Sequence, residues 1–268
     1  MGTSWRRKGA ELGDVLCRLN MAYIPGTRDE QKKSIFTSIE PELKNLANEG
    51  DMFAQNELGL VCKFLNDESA MDWYKKSASQ GYYLSMNNLG NEYYNQGDYE
   101  DANKWYKLAG EAGCDWGWHD LANAYSNGNG VEKDDDKAME LYKRAYNIGG
   151  NAAGHSANVI GIIYYNRDDY EDANKWYELA GESGYDWGWK NLADDYLRGY
   201  GFSKDVDKAR YYYEKACELN GEAKGNAAYQ IATIYNDKCE YNEARKWYRI
   251  AADAGNKDAK MYADLMLL

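Results

Sequence analysis

The 268-residue chain is poor in the residues that metal, disulfide and proton-transfer chemistry usually require. It has two histidines, His119 and His155, and no cluster of other ligand types around either, so no metal site and no cofactor are expected. Its five cysteines (Cys17, Cys62, Cys114, Cys217 and Cys239) are odd in number and irregular in spacing. That pattern argues against a disulfide framework or a thiolate zinc site and fits reduced thiols in a cytoplasmic protein. Lys and Arg number 32 against 44 Asp and Glu, a net charge of −12, and no basic cluster offers phosphate neutralisation. Nucleic acid is therefore not expected as a partner, and the acidity serves to keep the surface soluble. No run of ~18 apolar residues occurs, so no membrane-spanning helix is expected. The opening M-G-T-S-W-R-R-K carries a basic triplet with no apolar stretch behind it. Neither a secretory nor a twin-arginine signal is expected there, and Arg6 stands where a myristoylation signal needs Ser or Thr.

What the chain does have is repetition. The stretch D-Y-E-D-A-N-K-W-Y-K-L-A-G-E-A-G-C-D-W-G-W, from Asp98 to Trp118, returns 71 residues later from Asp169 to Trp189. Over 98–130 and 169–201, 23 of 33 positions are identical. A weaker third copy places Tyr241, Ala244, Trp247 and Tyr248 opposite Tyr170, Ala173, Trp176 and Tyr177. Self-similarity at a fixed period of this kind marks a repeat architecture, in which each unit packs on its neighbours.

Each unit reads as two helices. The first carries an apolar–small pair: Leu58-Gly59, Leu89-Gly90, Leu121-Ala122, Ile160-Gly161, Leu192-Ala193 and Ile231-Ala232. In five of these six a tyrosine follows four residues after the apolar member, about 40° round the helix and so on the same core face. The second helix carries Ala, then an aromatic four later, then a small residue, as in Ala102/Tyr106/Ala109 and Ala173/Tyr177/Ala180. Asp98 and Asp169 stand at N-cap positions, with Asp101 and Asp172 in the first turns. Gly81, Gly113, Gly184 and Gly255 supply the helix stops. Units near Asp115 and Asp186 carry a four-residue insertion between their helices, and the others use a tight turn. This predicts an N-terminal capping pair over 1–50, six repeats over 51–256 and a C-terminal capping helix over 257–268. Within the first segment Pro41 is expected to kink or divide a helix spanning about Asp29–Asn48, and a helix from about Ala10 should end before Pro25.

The pattern L-A-x-x-Y-x-x-G-x-G-V-x-x-D-x-x-K-A-x-x-x-Y-x-x-A, from Leu121 to Ala145, resembles the Sel-one-like repeat (SLR), a branch of the tetratricopeptide-repeat (TPR) superfamily. The resemblance covers roughly 43–268. It implies an all-α, right-handed α-solenoid of antiparallel helix hairpins, with a concave groove lined by the first helices. It also implies a non-catalytic scaffold or adaptor that binds a partner protein or peptide. The paired cysteines of a secreted branch are missing, as is any S-x-x-K tetrad of the penicillin-binding kind.

On that implied groove, the face opposite the core is spelled by residues five before, two before, two after and five after each apolar marker. It yields Asn87, Asn91, Tyr94, Trp116, His119, Asn123, Asn158, Tyr165, Trp187, Lys190, Asp194 and Tyr229 as candidate contacts. Asn amides can grip a peptide backbone, while Trp and Tyr supply area at low entropic cost. Trp118 and Trp189 fall on the core side and are expected to be packing. Three further readings compete. An inhibitor or immunity-type protein would mask a basic toxin or enzyme with Asp134, Asp135, Asp136, Asp194 and Asp195. A carbohydrate could stack on the aromatics. Self-association could run through the apolar tail M-Y-A-D-L-M-L-L. Catalysis is not expected, because the one candidate constellation, Cys114 with His119 and Asp120, becomes Tyr185, Lys190 and Asn191 in the next copy.

Overall fold

The structure, a computed structural model, describes residues 13–24 and 26–265, with side chains as far as Tyr262. The described residues are all-helical, with fifteen α-helices and no strand among them. The expected self-association segment, 261–268, lies largely outside the described side chains, as does the start of the helix expected from Ala10. The chain divides into two compact units, Met1–Asp134 and Asp135–Leu268.

The first unit holds α1 (13–22), α2 (Asp29–Asn48), α3 (Met52–Phe64), α4 (Ala70–Ser79), α5 (Tyr83–Gln96), α6 (Tyr99–Glu111) and α7 (Asp115–Asn127). The second holds α8 (Asp135–Ile148), α9 (Ala152–Asn166), α10 (Tyr170–Glu182), α11 (Asp186–Arg198), α12 (Val206–Glu218), α13 (Lys224–Asp237), α14 (Tyr241–Asp253) and α15 (Lys257–Leu265). Within each unit successive helices pack in chain order, so nearly every interface is local.

The apolar–small pairs set the hairpin spacing. In α3, α5 and α9 the small residue is Gly59, Gly90 or Gly161, and the ring of Tyr74, Tyr106 or Tyr177 from the next helix lies where its Cβ would be. These three tyrosines are 0–3% exposed, so burial of a large ring against a bare backbone holds each hairpin. A second close approach joins consecutive hairpins. A Cβ on Gly117 of α7 would stand 2.5 Å from the Gly110 backbone nitrogen of α6, and Gly188 of α11 meets Gly181 of α10 at the same distance. Trp118 and Trp189 pack over those glycines and are buried, as their position on the helical wheel requires.

Gly81, Gly113, Gly184 and Gly255 all take φ between +85° and +97°, the left-handed stop expected of them. One local expectation is narrowed and another corrected. Helix α2 is not divided at Pro41 but runs through it. Pro41 and Thr37, whose carbonyl loses its partner, both face solvent, while Phe36, Ile39, Leu43 and Leu46 anchor both halves in one core. Asp98 and Asp169 do occupy the N-cap positions of α6 and α10, but their side chains accept no cap hydrogen bond. Their ψ of 63° departs from the extended backbone of Asp51 and Asp205, whose carboxylates do reach the first-turn N–H groups.

The four-residue insertions form the loops after α7 and α11. Each lies over the start of the preceding second helix and is tied to it by one buried asparagine. Asn103 Nδ2 donates to the Asn129 carbonyl at 2.7 Å, and Asn174 Nδ2 to the Tyr200 carbonyl at 2.9 Å. The repeated D-A-N-K-W is thus, in part, a loop anchor.

Candidate functional site

The face predicted for ligand contact divides into a structural ladder and an open part. Asn56, Asn87 and Asn158 are 1–9% exposed. Asn56 Oδ1 of α3 accepts from Ser85 and Asn88 of α5, at 2.8 and 3.0 Å. Asn87 Nδ2 of α5 donates to Asp120 of α7 at 3.4 Å, and Asn191 Nδ2 of α11 donates to Asn158 Oδ1 of α9 at 2.9 Å. Asn91 accepts the Tyr106 hydroxyl at 2.9 Å. Asn87, Asn91 and Asn158, expected to grip a peptide, each use one amide atom to join helix to helix. For the buried Asn87 and Asn158 burial demands this, because an amide removed from water must bond within the protein.

In the first unit the remaining predicted residues are Tyr94, Trp116, His119 and Asn123. Tyr94 is 40% exposed and rests edge-on against Tyr99. Trp116 is half-buried, with the buried His119 ring perpendicular to it at 5.2 Å. The Cys114 thiol is fully buried and pushed up to about 11, far from the thiolate form that a nucleophile needs. Burial, with the nearby Asp115 charge, pushes the Asp120 carboxyl up to about 7. Among the described residues no three His, Cys, Asp or Glu side chains converge as a metal site.

In the second unit Asn158, Tyr165, Trp187, Lys190 and Asp194 line one cleft of about 620 Å³. Tyr229 of α13 is not among its lining and packs on Tyr248 and Tyr262 instead. The cleft opens between α9 and α11 with Tyr177 of α10 beneath. Lys190 Nζ pairs with Asp194 at 2.8 Å and stands 5.5 Å from the Trp187 ring centroid. Asp194 also accepts the Tyr213 hydroxyl at 2.5 Å. Ile162, Asn166, Tyr185, Asn191 and Arg198 also line the cleft, with the buried Asp195 at the floor. Asp195 is 2% exposed, its Oδ2 makes no hydrogen bond, and burial with the adjacent Asp194 charge pushes it up to about 7.

Sequence reasoning placed Asp195 on an acidic surface rather than in a cleft. The signal that could have found it is the comparison of copies. The position 71 residues earlier is Ala124, also 2% exposed, so an acid replaces alanine at a buried site.

A family model described as the Sel1 repeat matches residues 53–82, 119–150, 160–185, 191–221 and 238–256, together more than half of the chain. A tetratricopeptide-repeat model matches 84–109. Among solved structures, the chain is similar to a protective antigen of uropathogenic Escherichia coli strains that displays an SLR fold, at 28% identity and TM-score 0.68. That match covers 96% of this chain and 57% of the antigen, so the chain spans little more than half of its length. A Sel1 repeat protein from Oxalobacter formigenes matches at 24% identity and TM-score 0.65, covering 80% of this chain and 99% of the other. Yeast Tom70 shares the fold at 16% identity and TM-score 0.55, over 88% of this chain and 59% of Tom70. No curated protein matches the chain.

Proposed function

Because the chain belongs to the Sel1-repeat family, we propose that it is a non-catalytic interaction scaffold that holds an extended segment of a partner protein against its first helices. One observation carries this reading: the cleft between α9 and α11. It sets aromatic rings and one aliphatic side chain, from Tyr165, Tyr185, Trp187 and Ile162, among polar groups that include three asparagines, Lys190, Asp194, Asp195 and Arg198. That mixture suits a peptide, whose side chains bury apolar area while its backbone and polar groups are matched. Trp116 occupies the corresponding place in the first unit, so the same helix face recurs.

The test is co-purification from native lysate with wild type, Trp187→Ala and Trp116→Ala, read by quantitative mass spectrometry. Both indoles are half-buried and at the helix starts, so the variants are expected to keep wild-type helical circular dichroism. A partner retained by wild type and lost by Trp187→Ala supports the reading. Equal retention by all three proteins would move the site elsewhere.

A further inference from the structure

We propose that the α9–α11 cleft seats a lysine or arginine side chain of the partner, with Asp195 as its counter-ion. This rests on the reading of the first-helix face as a protein-docking surface and specifies the chemistry it selects.

The carboxylate is out of place unless something meets it. Asp195 is 2% exposed, and its Oδ2 is buried without a hydrogen-bond partner. An acceptor withdrawn from water and left unbonded destabilises the fold. The fold itself does not require it, since Ala124 fills the same position in the preceding copy with equal burial.

The cleft's own cations do not meet the need. Lys190 is held by Asp194, whose carboxylate also takes the Tyr213 hydroxyl. Arg198, one turn beyond Asp194, is exposed and within Coulombic reach of Asp195, yet forms no ion pair with it among the described residues. Asp195 Oδ2 is thus a carboxylate oxygen of this cleft that accepts no hydrogen bond, and the Arg198 and Lys190 charges act on Asp195 only from a distance. The floor changes in the same sense between copies. Asn91, which accepts the Tyr106 hydroxyl, becomes Ile162, so the equivalent bond to Tyr177 cannot form. The result is an apolar wall beside an acid, with the Tyr165 and Trp187 rings flanking it.

A lysine or arginine fits this arrangement in both its parts. Its aliphatic stem would lie on Ile162 and the aromatic faces, and its head would reach the carboxylate. A charged donor is favoured over a neutral amide because a bond between two ions is roughly twice as strong. The chain's net charge of −12 further attracts cations.

The test titrates the peptide acetyl-Gly-Tyr-Arg-Tyr-Gly-amide into isotope-labelled full-length protein and follows amide chemical shifts. Its twin carries citrulline, which keeps the shape and most donors of arginine but not the charge. The arginine peptide should shift amides within 158–166 and 187–198, and the citrulline peptide should bind about tenfold more weakly. Asp195→Ala, which the sequence itself tolerates at Ala124, and Asp195→Asn should both lose the arginine preference. Equal binding of the two peptides, or an arginine preference that survives both variants, would overturn the counter-ion role while leaving the docking face intact. No saturable shift at millimolar arginine peptide would also overturn it. The Trp187→Ala co-purification decides the underlying reading separately.

Discussion

Asp120→Asn should stabilise the first unit above about pH 4, with the full gain at neutral to alkaline pH. In the native state Asp120 is half-buried on α7, and its one described hydrogen bond comes from Asn87 Nδ2 at a long 3.4 Å. Asn87 Oδ1 is left buried and unpartnered. Burial and the Asp115 charge raise the carboxyl from 3.8 to about 7. The unfolded chain gives up this proton near 3.8 and the folded chain only near 7, so stability is full below the lower value and falls as pH rises through the interval. Each pH unit corresponds to about 1.4 kcal/mol, which sets a ceiling of about 4 kcal/mol. Asp120 keeps some contact with water, so a loss of roughly 2 kcal/mol is the expected effect. Asparagine carries no charge and can donate to Asn87 Oδ1, as Asn191 does to Asn158 at 2.9 Å in the other copy. Urea unfolding followed by circular dichroism at pH 4, 6 and 8 provides the assay. Wild type and variant should coincide near pH 4 and diverge to about 2 kcal/mol at pH 8. A constant offset at all three pH values, or a variant weaker at pH 8, would refute the assignment of a buried, reluctantly ionised acid at this position.

Two further measurements test the packing. Gly188→Ala should cost about 3 kcal/mol or more, since its Cβ would lie 2.5–2.6 Å from the Gly181 nitrogen, the Ala180 Cβ and the Tyr177 carbonyl, and two of these three are backbone atoms. Gly184→Ala, in open space at φ +85°, should cost about 1 kcal/mol, and thermal melts showing equal losses would contradict the close α10–α11 approach. Ellman's reagent on native protein at pH 8 should titrate Cys17 and Cys239 rapidly and leave Cys62, Cys114 and Cys217 unreacted until denaturant is added. Burial raises all three protected thiols, Cys114 and Cys217 to about 11. Rapid reaction of more than two thiols would show that the units open more readily than their packing implies.

The helices, their pairing and the packing faces were legible in the sequence because periodicity is a property of the chain alone. Leu, Gly and Tyr recurring at helical spacing, with glycine at stops such as Gly81, Gly113, Gly184 and Gly255, leave one way to bury the apolar residues, which is against the adjacent helix. The 71-residue offset even carried the alternation of long and short turns. The uses of the polar residues were not legible in this way. A helical wheel assigns Asn87, Asn91 and Asn158 to the face away from the core, but whether an amide on that face meets a ligand or the next helix depends on how closely the helices approach. That distance is set by Gly110 against Gly117 and Gly181 against Gly188, contacts between residues on different helices. The same holds for Asp195, which reads as one more surface acid in an acidic chain. Only the packing of α9 and α11 over Tyr177 puts it at the floor of a cleft, because burial is decided by what stands opposite a residue and not by its own position along the helix.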